Sequence, residues 1–306
     1  MSRRAFLGIL LATLISCAPA ATPPALTTTA SPVPAAAFPA TVVDFQGKSV
    51  TMAKRPERIV SIGPSITEFL FALGAADRIV AVDDFSDVPA AAKAKEKVGG
   101  VKPNVEKIIA LRTDLLLSLR ISDGSLERVA AQGIPVLVVE PKSLADAART
   151  AILLGTAIGA DGAGLARSIE DGLASVRAKA VNVPKKRVFH EVDASDPTKL
   201  FSAGPGSFIH EMIQLAGGIN IAAKAASPFP QLSPEEVIRA DPEVIVLGDA
   251  GYGVTVAEVV ARPGWSAITA VRTKRVVPAD PNLVHRPGPR IVEAAELYLR
   301  IVRETP

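Results

Sequence analysis

Residues 104–117, NVEKIIALRTDLLL, have a second copy at 233–246, SPEEVIRADPEVIV, and the two align without a gap. Each opens on an N-cap residue, Asn104 or Ser233, whose side chain satisfies an orphan helix N–H. Two residues on stands an acid, Glu106 or Glu235, in the first turn, where the helix dipole favours negative charge. Glu236, three residues after Ser233, completes a capping box in the second copy. A short helix follows, carrying Ile108, Ile109 and Leu111 in one copy and Val237, Ile238 and Ala240 in the other. A polar turn with Asp114 or Glu243 leads into an apolar run at 115–117 or 244–247. Such runs, bounded by turn signals, suit strands buried on both faces of a parallel sheet.

A second pair of segments repeats in the same order. VSIGPS at 60–65 precedes the apolar helix TEFLFALG, and FSAGPG at 201–206 precedes HEMIQLAGG. Both read as strand, S-x-G-P turn, helix. The shared placement of the acids and of the turn predicts two similar Rossmann-like α/β lobes with parallel sheets.

The chain has 306 residues, room for two domains and a sizeable core. Its net charge of +3 includes Arg3 and Arg4, which sit ahead of an apolar run at 6–15. That run is too short to span a bilayer and reads as a signal peptide. No long basic run exists elsewhere, so nucleic acid is not an expected partner. Cys17 is the only cysteine, which excludes an intrachain disulfide framework. LISC at 14–17 resembles a bacterial lipobox, which implies a lipoprotein signal over 1–17 with Cys17 lipidated. SRRAFL at 2–7 resembles the twin-arginine export motif. Residues 18–37 are Ala, Pro and Thr with no charge, an expected linker.

Along the rest of the chain, 41–45 and 48–52 flank Gln46-Gly47 and predict a β-hairpin. Strands are expected at 58–62, 79–82, 115–119 and 135–139, alternating with helices. One of these helices is 126–132, with Gly133 as its C-cap. Helices at 143–158 and 161–181 follow with no strand between them. The second carries Ile169, Leu173, Val176 and Ala180 at helical spacing. It is read as a long interlobe helix over 161–182, between an N-terminal lobe at 41–160 and a C-terminal lobe at 185–306. Strands resume at 188–192, 244–247 and 275–277, and the last helix is 290–303.

The order of these segments carries a resemblance. A lipobox leader, a Pro-rich tether, RPERIVSIGPSITEFLFALG, VGG followed by PNVEKIIAL and DLLL, PKKRVF and PFPQLSPEEVI are similar to the solute-binding proteins of ABC importers for cobalamin, haem and ferric siderophores. The resemblance spans about residue 41 to the C-terminus. It implies an exported, membrane-anchored monomer that holds a small metal chelate between its lobes and delivers it to a permease dimer. PFPQLSPEEVI and NLVHRPGPR at 282–290 are most similar to the cobalamin-type branch. A cobalt corrinoid is therefore the first expectation for the ligand, a ferric siderophore the second and haem the third. Glu106 and Glu235 match the family's docking glutamates, which pair with permease arginines. The long interlobe helix implies a small closure on binding.

Ligands of this class lie between the lobes near the carboxyl ends of the strands. That selects Phe85, Val101, Arg120, His190, Phe229, Asp249, Tyr252 and Arg286. Val101 stands near a loop position where cobalamin-binding relatives often carry an aromatic residue. The three histidines, His190, His210 and His285, lack metal-ligand spacing, so no direct metal site and no resident cofactor are expected. His190, at a strand end, and Tyr252, between two glycines, are candidates for haem ligation, and His285 is a further residue for the cleft. GPGS at 204–207 lacks the pattern of a nucleotide loop. An α/β enzyme is the alternative of another class, with Asp193 and Asp196 near His190. No G-x-S-x-G elbow or cofactor fingerprint accompanies them. A chelate sensor using the same glutamates is a third reading.

Overall fold

The computed structural model describes residues 37–304. The expected signal peptide, Cys17 and all but the last residue of the expected linker lie outside them. The described chain enters through a hairpin, β1 (Ala40–Val43) antiparallel to β2 (Ser49–Met52). The buried Asp44 carboxylate accepts from Gln46 N and Lys48 N in the turn and from Val138 N, which pins the hairpin to the first lobe.

The first lobe alternates β3 (Ile59–Ile62), α1 (Pro64–Ala72), β4 (Ile79–Val82), α2 (Ala90–Lys93), β5 (Glu96–Lys97), α3 (Val105–Ala110), β6 (Leu115–Ser118), α4 (Ser125–Ala130) and β7 (Val136–Val138). Its five strands are all parallel, in the order β5-β4-β3-β6-β7. Strand order reverses at β3, which opens a crevice beside its carboxyl end. Gly63 forms the turn there at φ 135, where a Cβ would come within 2.8 Å of Leu119 Cγ. The expected helix 126–132 ends at Ala130, and Gly133, at φ 76, turns the chain beyond its cap.

Two long helices follow, α5 (Leu144–Ile158) and α6 (Gly162–Ala180). They meet at glycines: a Cβ on Gly162 would lie 2.2 Å from Ala151 O. The 19 residues of α6 form the expected interlobe helix, packed on α5 from one lobe and on the helices at Phe208–Leu215 and Ile291–Arg303 from the other.

The second lobe runs β8 (Arg187–Asp193), β9 (Leu200–Ser202), α7 (Phe208–Leu215), β10 (Ile219–Asn220), β11 (Gln231–Leu232), α8 (Pro234–Ala240), β12 (Val244–Leu247), α9 (Val256–Val260), α10 (Thr269–Arg272), β13 (Val276–Pro278), α11 (Pro281–Val284) and α12 (Ile291–Arg303). The sheet order is β11-β9-β8-β12-β13, with β10 also on β8. Strands β8, β12 and β13 pair in parallel, as expected, and β10, which was not expected, joins β8 in parallel. The correction to the expected parallel sheet is β9, a strand expected at 201–202 that runs antiparallel to both β8 and the unexpected β11. The connection from β8 to β9 is too short for a parallel crossover, which takes a dozen or more residues. Asp193 and Asp196 instead reverse the chain, accepting from Ser195 N and Thr198 N at 2.8 and 3.0 Å.

The duplicated stretch is built alike in both lobes. Asn104 Oδ1 accepts from Lys107 N, and Ser233 and Glu236 exchange a reciprocal capping pair. Asp114 then accepts from the backbone N of Glu57 and Arg58 ahead of β3, while Arg58 Nε donates to Leu111 O. In the second lobe Glu243 accepts from Arg187 N and Arg187 Nε donates to Asp241 O. The acid and the arginine are 56 residues apart in each case. Aligned positions Arg112 and Asp241 both take the left-handed conformation, at φ 53 and 43.

Candidate ligand cleft

A cleft of about 520 Å³ opens between the lobes at the carboxyl ends of the strands. The first lobe lines it with Pro64, Ser65, Asp84, Phe85, Leu119 and Glu140, and the second with Tyr252, Asn282, His285 and Arg286. Its volume falls within the ~300–1,000 Å³ of small-molecule pockets. Phe85 is 60% exposed and Tyr252 73% exposed, so each lobe contributes an uncovered aromatic ring. Phe85 also borders an adjoining hollow of about 140 Å³ with Val101 and Arg120. Its ring lies against Gly100, where a Cβ would come within 2.5 Å of Phe85 Cε2. A more open depression of about 720 Å³, lined by Lys179, Glu296 and Arg300, lies between α6 and α12, away from the strand ends.

Five of the eight residues expected at the ligand therefore line the cleft or its hollow: Phe85, Val101, Arg120, Tyr252 and Arg286. Phe229 is 48% exposed on the segment before β11 and borders neither space. His190 and Asp249 need correction. His190 lies within β8, not at its end, and is sealed. Asp249 is 2% exposed behind the strand ends, where Oδ2 accepts from Ala194 N. Its Oδ1 has no hydrogen-bond partner among the described residues, and burial, with the nearby Glu191 carboxylate, pushes its pKa up to about 6. Glu191 itself is buried in a pair with Arg262 at 2.5 and 2.9 Å.

The cleft's back wall is an ion cluster that the sequence reading missed. Glu68 of α1, 4% exposed, accepts from Arg286 Nη1 at 3.2 Å and from Arg290 Nε at 2.9 Å. Arg286 also lies 2.8 Å from Asp87 Oδ1, and its Nη2 donates to Phe85 O. The guanidinium at the cleft is thus already neutralised by two first-lobe carboxylates. The bond from Glu68 holds the Arg290 pKa above its ordinary value. Glu68 was legible only as a lone charge inside the apolar run TEFLF.

Beneath the cleft lies a second buried array. Tyr298 Oη of α12 is 2.5 Å from His190 Nδ1, and His190 Nε2 is 3.0 Å from His285 Nε2. Gly248 leaves room for both rings, since a Cβ there would meet His285 Nε2 at 2.3 Å. Burial pushes His190 well below the ordinary imidazole range and His285 down to about 4. It raises the Tyr298 phenol well above its usual value. The expectation that His285 belongs to the cleft matches where it lies; His210 is buried, with Nδ1 bonded to Asn220.

Glu106 and Glu235 stand exposed in the first turns of α3 and α8, one on each lobe, with no ion pair among the described residues.

The arrangement is that of a two-lobed binding protein, and comparison with known proteins agrees. The periplasmic binding protein family model matches residues 59–283, so the chain belongs to that family. It is 36% identical over 269 residues to the ABC transporter substrate-binding lipoprotein YvrC of Bacillus subtilis, covering 85% of this chain and 84% of that one. It is 32% identical over 275 residues to a cobalamin-binding protein of Halobacterium salinarum, covering 85% and 73%. Among solved structures, the periplasmic heme-binding protein RhuT from Roseiflexus superposes with a TM-score of 0.73 at 29% identity, covering 80% of this chain and 98% of that one. Among the described residues no helix is long and apolar enough to cross a membrane.

Proposed function

We propose that this protein is the substrate-binding component of an ABC importer, anchored outside the cytoplasmic membrane through Cys17, and that its cargo is a cobalt corrinoid. The observation that carries the ligand choice is the pair Phe85 and Tyr252. Two exposed aromatic rings, one per lobe, line one cleft. A broad conjugated macrocycle offers each ring a face to stack on. A hydrated ion gives no reason to leave two rings uncovered. The likeness to a cobalamin-binding protein over most of the chain supports the same choice. Glu106 and Glu235, placed alike on the two lobes, suit a permease dimer with two equivalent docking points.

Haem is the second reading. It is favoured by the Tyr252 phenol in the cleft, a group that ligates ferric haem. Calorimetric titration of residues 38–306 with cyanocobalamin, haemin and a ferric hydroxamate tests both. One-to-one sub-micromolar binding of cyanocobalamin is expected. Binding of haemin alone would replace the corrinoid by haem, and binding of the hydroxamate alone would remove both macrocycles.

A further inference from the structure

The array Tyr298–His190–His285 runs from α12 through β8 to the cleft, and its protons can be assigned by counting donors and acceptors. Tyr298 is sealed, and its hydroxyl has His190 Nδ1 as its one hydrogen-bond partner among the described residues. His190 is also sealed, and among the described residues its ring nitrogens meet only Tyr298 and His285. His285 Nδ1 bonds to no described residue, and His285 is one of the residues that line the cleft.

Two neutral arrangements exist. In one, His285 Nε2–H donates to His190 Nε2 and His190 Nδ1–H donates to the Tyr298 oxygen. The phenolic proton then points at nothing, an orphan donor in a sealed site. In the other, Tyr298 O–H donates to His190 Nδ1 and His190 Nε2–H donates to His285 Nε2. Every buried proton is then used, and the proton of His285 sits on Nδ1. Burial holds both imidazoles neutral at pH 7, which leaves these two arrangements to choose between.

We infer that Tyr298, acting through His190, fixes His285 as an Nδ1–H donor facing the cleft, so that His285 recognises an acceptor oxygen on the ligand's periphery, a carboxylate or amide carbonyl, and not the ligand's metal. A metal would need a bare nitrogen, and His285 has none to offer: Nε2 is occupied by His190 and Nδ1 carries the proton. His190 and Tyr298 are positioning residues in this scheme. The inference rests on the interlobe cleft's being the ligand site, and it is compatible with either macrocycle, since both carry oxygen acceptors at their rims.

Long-range proton–nitrogen correlation spectra of the ligand-free protein distinguish protonated from bare ring nitrogens. His285 is expected to show Nδ1 protonated and Nε2 bare, with the Nδ1–H tautomer losing population in Tyr298→Phe. A bare Nδ1 in the unsubstituted protein would overturn the inference whichever chelate binds. The second arm titrates cyanocobalamin and haemin into His285→Leu and His285→Asn. The leucine variant is expected to bind the cognate chelate about 3- to 10-fold more weakly, as for loss of one hydrogen bond. Asparagine, which keeps an N–H donor, is expected to recover part of the loss. The visible spectrum of the bound chelate is expected to be the same in all three proteins; a shift in His285→Leu would mark the imidazole as a metal ligand and overturn the inference. Failure of both chelates to bind the unsubstituted protein would overturn the ligand reading and leave the proton assignment standing.

Discussion

Arg290 Nε donates to Glu68 Oε2 across 2.9 Å, a bond between residues 222 positions apart that ties the start of α12 to α1 of the other lobe. With Arg286 it encloses one buried carboxylate between two cations. Glu68→Gln keeps the shape and removes the charge, leaving two partly buried guanidinium groups short of a partner. Loss of about 2–3 kcal/mol of stability is expected, less than for a fully buried pair because Arg290 keeps some solvent. Chemical denaturation measures it, and an unchanged midpoint would show that the cluster adds nothing.

The same cluster, with α6 spanning the lobes, opposes a wide hinge. Free and ligand-bound protein are expected to differ little in radius of gyration by small-angle X-ray scattering. A large contraction would mean that the ion cluster breaks and reforms during binding.

Phe85→Ala and Tyr252→Ala remove exposed rings and should leave the fold intact. Each is expected to weaken chelate binding by roughly 3- to 10-fold, the range of one aromatic contact at ~0.5–1.5 kcal/mol. Calorimetry with unchanged thermal midpoints checks it. Phe229→Ala, outside both spaces, is expected to bind as the unsubstituted chain does.

Buried groups of opposing sign give the stability its pH dependence, His190 and His285 on one side and Asp249 on the other. The His285 pKa is depressed to about 4. The unfolded chain therefore binds more protons below pH 6.5, and stability falls as pH drops from there toward 4. The Asp249 pKa is raised to about 6. The folded chain binds more protons between about pH 4 and 6, so this group's contribution falls as pH rises through that window. Asp249→Asn is expected to stabilise the protein at pH 7, by on the order of 2–3 kcal/mol, and to steepen acid unfolding by leaving the histidine term unopposed. Denaturation midpoints from pH 4 to 8 test it, and parallel curves for the two proteins would remove Asp249 from the account.

Glu106→Arg and Glu235→Arg should leave ligand affinity unchanged, since neither residue borders the cleft. Each is expected to lower uptake at least tenfold in cells or vesicles carrying the cognate permease, and the pair to abolish it. Normal uptake by the double variant would move docking elsewhere.

The apolar runs and caps made the lobes legible, because each depends on neighbours a few residues away. Apolar runs bounded by turns located β3, β6, β8 and β12, and the capping residues located α3 and α8. The direction of β9 followed from the shortness of one connection, which the matched S-x-G-P turns obscured. His190 was misplaced although the expected strand already ran past it; its ring is covered by Tyr298 and His285, residues far along the chain that no local pattern ties to it. Glu68 with Arg286, and Tyr298 with His190, join residues 218 and 108 positions apart. No local signal carries such a pairing, and only the closed tertiary structure reveals it.

The arginine–acid clasps, Arg58 with Asp114 and Arg187 with Glu243, secure the amino ends of each lobe's central strands. The cleft lies at the opposite ends. Heritable change can thus accumulate along the rim, exchanging an aromatic ring here or a loop residue there, while the foot of each sheet stays bolted. The scaffold separates what must be kept from what may drift, and a lineage carrying it can acquire a new cargo without first relearning how to fold.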